Sequence, residues 1–344
     1  MRVGVAMSGG VDSSVAALLI KQGGYDALGV TMRAFEGAPV RDETDAAAVA
    51  ARLGFEHITV DLCNEFRSTV MDYFAQSYID GETPNPCVYC NKVIKFGALS
   101  DRIKEHGCGL IATGHYARVN KTDPSGRVLL ERAVHNEKDQ SYVLWQLSQQ
   151  QLREALFPLG EYTKPQVREI AAENGFVSSD RPDSQDICFV QDGCYREFIE
   201  ELTGKTFDPG DFVGTDGKIW GRHKGLIGYT VGQRKGLGIS APAPLFVIRK
   251  SVAENRVYLG SNEELFSSRV EARDINLIAV DKINHSLRVT AKTRYSQKEA
   301  AATVYQTGDS TLTVEFDEPQ RAVTPGQSIV LYDGETVVGG GIIC

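Results

Sequence analysis

The stretch Ala6-Met7-Ser8-Gly9-Gly10-Val11-Asp12-Ser13-Ser14 decides how this chain begins to fold. A short alternating apolar run, Val3, Val5 and Met7, precedes it, and a helical run with Val15, Ala16, Leu18, Leu19 and Ile20 follows. A strand that feeds a helix through a Gly-Ser turn is the first half of a βαβ unit. Gly9 and Gly10 carry no Cβ, so their backbone N–H groups can approach a phosphate closely. Ser8, Ser13 and Ser14 add hydroxyl donors, and the helix presents its positive end to an anion. No Gly-Lys-Ser/Thr follows, so this is not a Walker A loop. A plainer account makes the run a Gly-Ser turn with Asp12 as helix N-cap.

Working outward, strand-like runs at Val3–Met7, Ala27–Met32, His57–Asp61 and Leu110–Thr113 alternate with helix-like runs at Val11–Lys21, Asp42–Leu53, Glu65–Ile79 and Lys92–Lys104. That alternation implies an α/β unit with a parallel sheet covered on both faces, and a ligand beyond the C-terminal strand ends. Ser148–Leu156 and Lys164–Asn174 read as helices, the second with Pro165 in its first turn. Past residue 200 the chain turns Gly-rich and β-branched, with turns at Pro209-Gly210, Asp216-Gly217, Pro325-Gly326 and Asp333-Gly334. Two small mainly β domains follow from that spacing. The expected division is 1–195, 196–268 and 269–344.

The 344 residues are 42% hydrophobic and 24% charged, values of an ordinary globular protein with room for two or three domains. No stretch is long and apolar enough to span a membrane and no secretory signal opens the chain, so a cytoplasmic location is expected. A net charge of −8 argues against nonspecific polyanion binding. Gly217–Lys250 nonetheless holds seven Lys or Arg and no acid, and Lys282–Lys298 is also acid-free. Such segments suit a local phosphate-backbone contact, with the solvated faces of strands nearly as good an account of either one alone.

Seven cysteines in a chain of this kind do not read as a disulfide framework. In Thr83-Pro84-Asn85-Pro86-Cys87-Val88-Tyr89-Cys90-Asn91-Lys92 two prolines stiffen the approach to a helix beginning near Asn91. Cys90 would then sit beside the helix dipole, with a lowered thiol pKa. Cys87, three residues earlier, permits a redox pair or a shared metal, while no second Cys-x-x-Cys completes a structural zinc site. Cys188, in Asp183-Ser184-Gln185-Asp186-Ile187-Cys188-Phe189, reads by itself as a buried structural cysteine. Cys63, Cys108 and Cys194 read as packing residues, and Cys344 carries no positional signal.

The first run resembles the PP-loop of the N-type ATP pyrophosphatases. The ordered set of segments is similar to the tRNA-specific 2-thiouridylases over nearly the whole chain: M-S-G-G-V-D-S-S at Met7, T-P-N-P-x-x-x-C-N-K at Thr83, A-T-G-H-Y at Ala112, K-D-Q-S-Y at Lys138, D-S-Q-D-I-C-F at Asp183, G-Q-R-K-G-L-G-I at Gly232, K-T-R-Y at Lys292 and T-P-G-Q-S at Thr324. The resemblance implies a sulfurtransferase that uses ATP to adenylate the C2 oxygen of the wobble uridine, in the tRNA anticodon stem-loop. Sulfur then replaces that oxygen, with release of AMP and pyrophosphate. Ala6, Met7, Ser8, Gly9, Gly10, Val11, Asp12 and Ser13 would bind ATP, with Asp12 a Mg²⁺ ligand. Met32 would meet the adenine, and Gly114 would close over the nucleotide. Cys188 matches the persulfide-bearing cysteine and Cys90 the nucleophile facing it, the two ending as a disulfide. Asn85, Pro86 and Cys87 match the segment that holds the target base. His115, Lys138, Asp139, Gln140, Arg294, Tyr295 and Gln327 match tRNA-contacting positions, and a sulfur donor protein or sulfide is a further partner.

From sequence alone, His115 is better read as a satisfied histidine at a strand end, while Lys138-Asp139-Gln140 could be a surface turn and Arg294-Tyr295 an exposed strand pair. One position departs from the family. Where many members carry Asp this chain has Cys87, so Cys87, Cys90 and Cys188 could hold a [4Fe-4S] cluster with one iron open to sulfide. The sequence places this cluster route slightly ahead of the persulfide route. Two rival functions remain: an adenylating amide ligase of the PP-loop group, which needs no thiols, and a noncatalytic iron–sulfur RNA-binding protein.

Overall fold

The computed structural model describes residues 1–37, 40–176, 187–190 and 194–344. The Asp183–Asp186 part of the D-S-Q-D-I-C-F motif lies outside the described residues.

The first unit is a five-stranded parallel sheet. Its strands are β1 (Arg2–Ala6), β2 (Asp26–Arg33), β3 (Glu56–Asp61), β4 (Leu110–Ala112) and β7 (Ala155–Leu156), in the order β3-β2-β1-β4-β7. β1 is central, and its Val3 and Val5 are fully buried as a sheet covered on both faces requires. Helices Val11–Gln22 and Val40–Leu53 pack in one layer with Val15, Ala16, Val49 and Ala50. The opposite layer is the run from Cys63 to Ile79 and the run from Pro86 to Glu105.

Two of these expectations differ from what formed. The expected helix Ser148–Leu156 stops at Glu154, and Ala155–Leu156 becomes the edge strand of the sheet. The helix expected from Lys92 starts earlier, at Pro86, because Asn85 caps it by accepting from the Cys87 N–H at 3.2 Å. It widens to i→i+5 turns over Asn91–Ala98 and kinks at Gly97. The Lys164–Glu173 helix begins as expected, held by a capping box between Thr163 and Gln166 that is worth about 1 kcal/mol.

The C-terminal strands β12 (Phe266–Leu277), β13 (Leu287–Lys292), β14 (Ala300–Gly308), β15 (Thr311–Arg321), β16 (Ser328–Asp333) and β17 (Thr336–Ile343) close on themselves through β12–β17 into a barrel. A hairpin from the first unit, β5 (Ala117–Asn120) and β6 (Leu129–Arg132), extends the same sheet through Glu131 opposite Thr336. Trp145, Tyr142, Ile278, Val330 and Tyr332 share one core across both units. The central segment forms its own four-stranded sheet, β10-β11-β8-β9 (Phe246–Ser251, Arg256–Gly260, Gly210–Gly214, Ile219–His223), around Phe212, Val247 and Val257. Among the described residues no helix is long and apolar enough to cross a membrane.

Candidate active site

The Ala6–Ser14 loop sits beyond the C-terminal end of β1, where ligands of parallel sheets bind. Met7 N–H donates to Val30 O at 2.8 Å and Thr31 Oγ1 donates to Met7 O at 2.9 Å, so the end of β2, including half-buried Met32, borders the loop. Gly9 has φ +68°, a left-handed conformation that favours glycine. Gly10 is extended, and a Cβ there would meet only Ser8 Oγ at 3.5 Å, so its missing side chain leaves space rather than relieving strain. Ser13 and Ser14 hydroxyls both donate to Gly10 O, at 3.0 and 2.9 Å. Ser13 Oγ in turn accepts from the Ser8 N–H at 3.1 Å. The loop is held open and cross-braced.

The reading of Asp12 as an N-cap fails. Gly10 is the N-cap and makes no side-chain cap bond. Asp12 instead accepts from Tyr116 OH at 2.7 Å and from Lys164 Nζ at 2.9 and 2.8 Å. Gly114 lies directly on this turn: a Cβ there would come within 2.9 Å of Asp12 C and Ser13 N. One carboxylate beside a phosphate-binding loop fits a Mg²⁺ that completes its shell with phosphate oxygens and water.

The thiols occupy the other part of the site. Cys87 and Cys188 are exposed and Cys90 is half-buried. Cys188 is therefore not the buried cysteine its neighbours suggested. Its position is anchored by Phe189, whose ring meets Phe66, Phe74 and Phe198 at 5.6, 5.3 and 5.2 Å. Burial of such a ring contributes about 1.5–3 kcal/mol. Cys90 interacts electrostatically with both Cys87 and Cys188, so the structure gathers thiols far apart in sequence.

The expected pKa direction is wrong. Burial pushes Cys90 up to about 12, because the apolar surroundings disfavour the thiolate more than any nearby charge favours it. Desolvation by the protein atoms around them also raises Cys87 and Cys188, although both residues keep a solvent-exposed face. Lys95, which the sequence reading missed, is the cation that opposes this at all three thiols. Among the described residues no group of three or more His, Cys, Asp or Glu side chains could hold a metal ion.

His115 joins the halves of the site. Its ring is buried between Phe96 and Phe157, its Nδ1 is hydrogen-bonded to Thr113 Oγ1 at 2.7 Å, and burial holds its pKa well below the usual value. It is neutral and enclosed, as the satisfied-histidine reading had it. Asp139 is also buried, accepting from Ala133 N–H, Ser141 N–H and Ser141 Oγ, so it is neither a surface turn nor an open contact. Gln140 Oε1 accepts from Tyr116 N–H at 2.9 Å. Arg294 braces the barrel against the central segment, donating to Val231 O, Ala322 O and Thr324 Oγ1. Gln327 Nε2 donates to Thr83 O at 2.7 Å and thereby ties the barrel to the Pro84–Pro86 segment. Lys138 is half-buried, and Tyr295 is exposed, its ring 5.8 Å from that of Tyr142. Of these seven expected tRNA contacts, Tyr295 alone is exposed.

Comparison with known proteins shows what the chain is similar to. The family model described as tRNA methyl transferase HUP domain matches residues 1–192. Those described as tRNA methyl transferase PRC-barrel domain and aminomethyltransferase beta-barrel domain match 196–261 and 267–343. The chain is 46% identical to the tRNA-specific 2-thiouridylase MnmA of Clostridioides difficile, over 99% of this chain and 98% of that one. It is also 46% identical to the proteins of the same name from Acetivibrio thermocellus and Lachnoclostridium phytofermentans, over 99% of each chain.

Proposed function

The chain belongs to the tRNA-specific 2-thiouridylase family, and from that premise we propose that it replaces the C2 oxygen of the wobble uridine of tRNA with sulfur, at the expense of ATP. The observation that carries this is the joining of the two halves. The Gly114 segment seats on the phosphate loop, and its neighbour His115 packs against Phe96 of the helix run that bears Cys90.

A uridine carbonyl is a poor electrophile. Attack of its oxygen on the α-phosphorus of ATP expels pyrophosphate and makes AMP the leaving group. Ser8, Gly9, Gly10 and Ser13 hold the phosphates. Asp12 would hold Mg²⁺, which supplies charge neutralisation for the leaving pyrophosphate. The terminal sulfur of a Cys188 persulfide then attacks C2, and AMP departs with the oxygen. Cys90 attacks Cys188 Sγ, the S–S bond breaks, and the thiocarbonyl remains on the base with a Cys90–Cys188 disulfide. An external dithiol restores both thiols. A neutral Cys90 must lose its proton for that step, and Lys95 is placed to favour the thiolate.

A persulfide-bearing protein supplies the sulfur: the Cys188 thiolate attacks its terminal sulfur, the donor's S–S bond breaks, and the donor leaves as a thiolate. Action on tRNA accords with a cytoplasmic location. Asn85 and Pro86 shape the base-binding segment, and extrusion of the base is what chemistry on its C2 requires.

Nucleoside mass spectrometry of tRNA incubated with the protein, Mg–ATP and a sulfur donor tests the reading. One AMP and one pyrophosphate are expected per 2-thiouridine. Cys90→Ser and Cys188→Ser are expected to abolish the product while Cys63→Ser leaves it intact. AMP release that needs a small amine and no tRNA would instead assign an amide ligase.

A further inference from the structure

The segment that leads into the thiol-bearing helix is gripped by both downstream domains. Gly81-Glu82-Thr83 follows the helix Asp72–Ile79 and precedes the stiff proline-rich approach to Cys87 and Cys90. Gly81 has φ +83°, and a Cβ there would meet Val252 of the central segment at 2.9 Å. Lys250 of β10 donates to Glu82 O at 3.5 Å, its ammonium 5.8 Å from the centre of the Tyr78 ring. On the barrel side, Thr83 N–H donates to Pro325 O at 2.8 Å. A Cβ on Gly326 would come within 2.8 Å of Glu82 Cβ and Thr83 N. The Glu82 carboxylate pairs with Arg273. Opposite β17, β12 inserts one extra residue between Arg273 and Asn276, and Asp274 in that bulge has φ +53°, which a residue with a side chain rarely adopts. Such a bulge re-aims a neighbouring side chain, and here Arg273 is fixed between Asp274, at 2.7 Å, and Glu82. Past the prolines, Tyr89 packs on Tyr73 with ring centres 4.6 Å apart, so the segment is held at both ends.

We propose that Glu82 is a positioning residue for tRNA thiolation, its carboxylate on Arg273 fixing the barrel against the segment that carries the target base and Cys90. The inference rests on the thiouridylase reading of the site. A tRNA seated beside Tyr295 lies on the same domain that holds Arg273 and the 325–327 turn. The Glu82–Arg273 pair passes that placement to Thr83, and the two prolines leave little slack between Thr83 and Cys87. The Glu82 side chain is 22% exposed and that of Arg273 40%, so water weakens the pair and its worth lies in register more than in stability. Rate depends steeply on register: a shift of about 1 Å at the reacting atoms costs on the order of a hundredfold. The braces of the phosphate loop come from other residues, so nucleotide binding stands outside this coupling.

The test is single-turnover thiolation by the full chain, loaded with persulfide at Cys188, at varied tRNA and saturating Mg–ATP, read by nucleoside mass spectrometry. Glu82→Gln and Arg273→Met are each expected to slow the rate at saturating tRNA about 10- to 100-fold, while the half-saturating tRNA concentration moves less than about threefold. The double variant is expected to be no slower than either single one, because a shared contact is lost only once. Arg273→Lys is expected to recover most of the loss. Mg–ATP affinity by calorimetric titration and persulfide loading are expected to stay within about twofold throughout. Unchanged rates, or losses that multiply in the double variant, overturn the assignment. So does a loss confined to the half-saturating concentration, which would make Arg273 an RNA contact only, and so does an equal loss of Mg–ATP affinity. Gly326→Ala reaches the same point without a change of charge, by pressing on Glu82 Cβ and Thr83 N. Its saturated rate is expected to fall in the same range, and a full rate overturns the assignment too. If the natural chain makes no 2-thiouridine, the thiouridylase reading itself falls, a different result from a natural chain that thiolates beside an equally fast Glu82→Gln variant.

Discussion

The phosphate loop and the thiol-bearing helix are built on opposite principles. In the loop every polar group that matters is already placed: Gly10 O accepts from two hydroxyls, Ser13 Oγ from the Ser8 N–H, and Asp12 is held from two sides. At the thiols the groups are gathered but chemically quiet, with Cys90 held neutral by burial. A preorganised anion site costs little to keep, because its donors find partners within the loop. A persistent thiolate would be oxidised without substrate, so a protonated thiol that ionises late is the safer resting state.

That contrast can be broken in three ways, in order of expected size. The largest effect concerns Cys90. With its pKa near 12 against 9.0 for an ordinary thiol, alkylation by iodoacetamide at pH 8 should run about a thousandfold slower than in the unfolded chain. The rate should climb about tenfold per pH unit without a plateau below pH 11, as followed by peptide mass spectrometry. The sign for stability follows: burial favours the neutral form, so the contribution is complete below pH 9 and is lost as pH rises from 9 toward about 12. A plateau near pH 7 would show that the thiol site is as prepared as the loop.

Gly114→Ala comes next. The added Cβ, 2.9 Å from Asp12 C and Ser13 N, must displace the turn. Overpacking of about 1–3 kcal/mol should weaken Mg–ATP binding roughly 5- to 150-fold in a titration. Persulfide formation at Cys188 should be unchanged. Unaltered ATP affinity would mean that the turn is not rigid. The smallest effect is expected for Cys87→Asp, which should leave thiolation within about twofold if Cys87 supplies no essential ligand. Anaerobically purified protein should be colourless and iron-free with either residue. Iron in the natural chain that vanishes with Cys87→Asp, together with activity, would restore the cluster.

Local readings succeeded where neighbours in sequence are neighbours in space. Val3, Val5 and Met7 announce β1, and Pro165 marks the start of its helix within a residue. Asn85 was visible too, but its side chain caps the helix at Pro86, earlier than the apolar pattern alone suggested. The two-residue strand Ala155–Leu156 was invisible, because one turn of helix and a strand that short carry the same apolar signal. The hairpin Ala117–Arg132 also gave no hint that it would join a barrel formed by residues far downstream.

By itself the sequence determined that a Gly-Ser loop follows the first strand, that a parallel sheet carries it, and that cysteines stand in segments remote from that loop in the chain. These are consequences of periodicity, glycine and residue chemistry, which act over a few positions. Only the tertiary structure decided that Lys164 meets Asp12, that Arg294 is spent on bracing two domains, and that burial outweighs Lys95 in setting the Cys90 thiol. Charge pairing and desolvation depend on what surrounds a group in space, and that is settled only when distant segments pack.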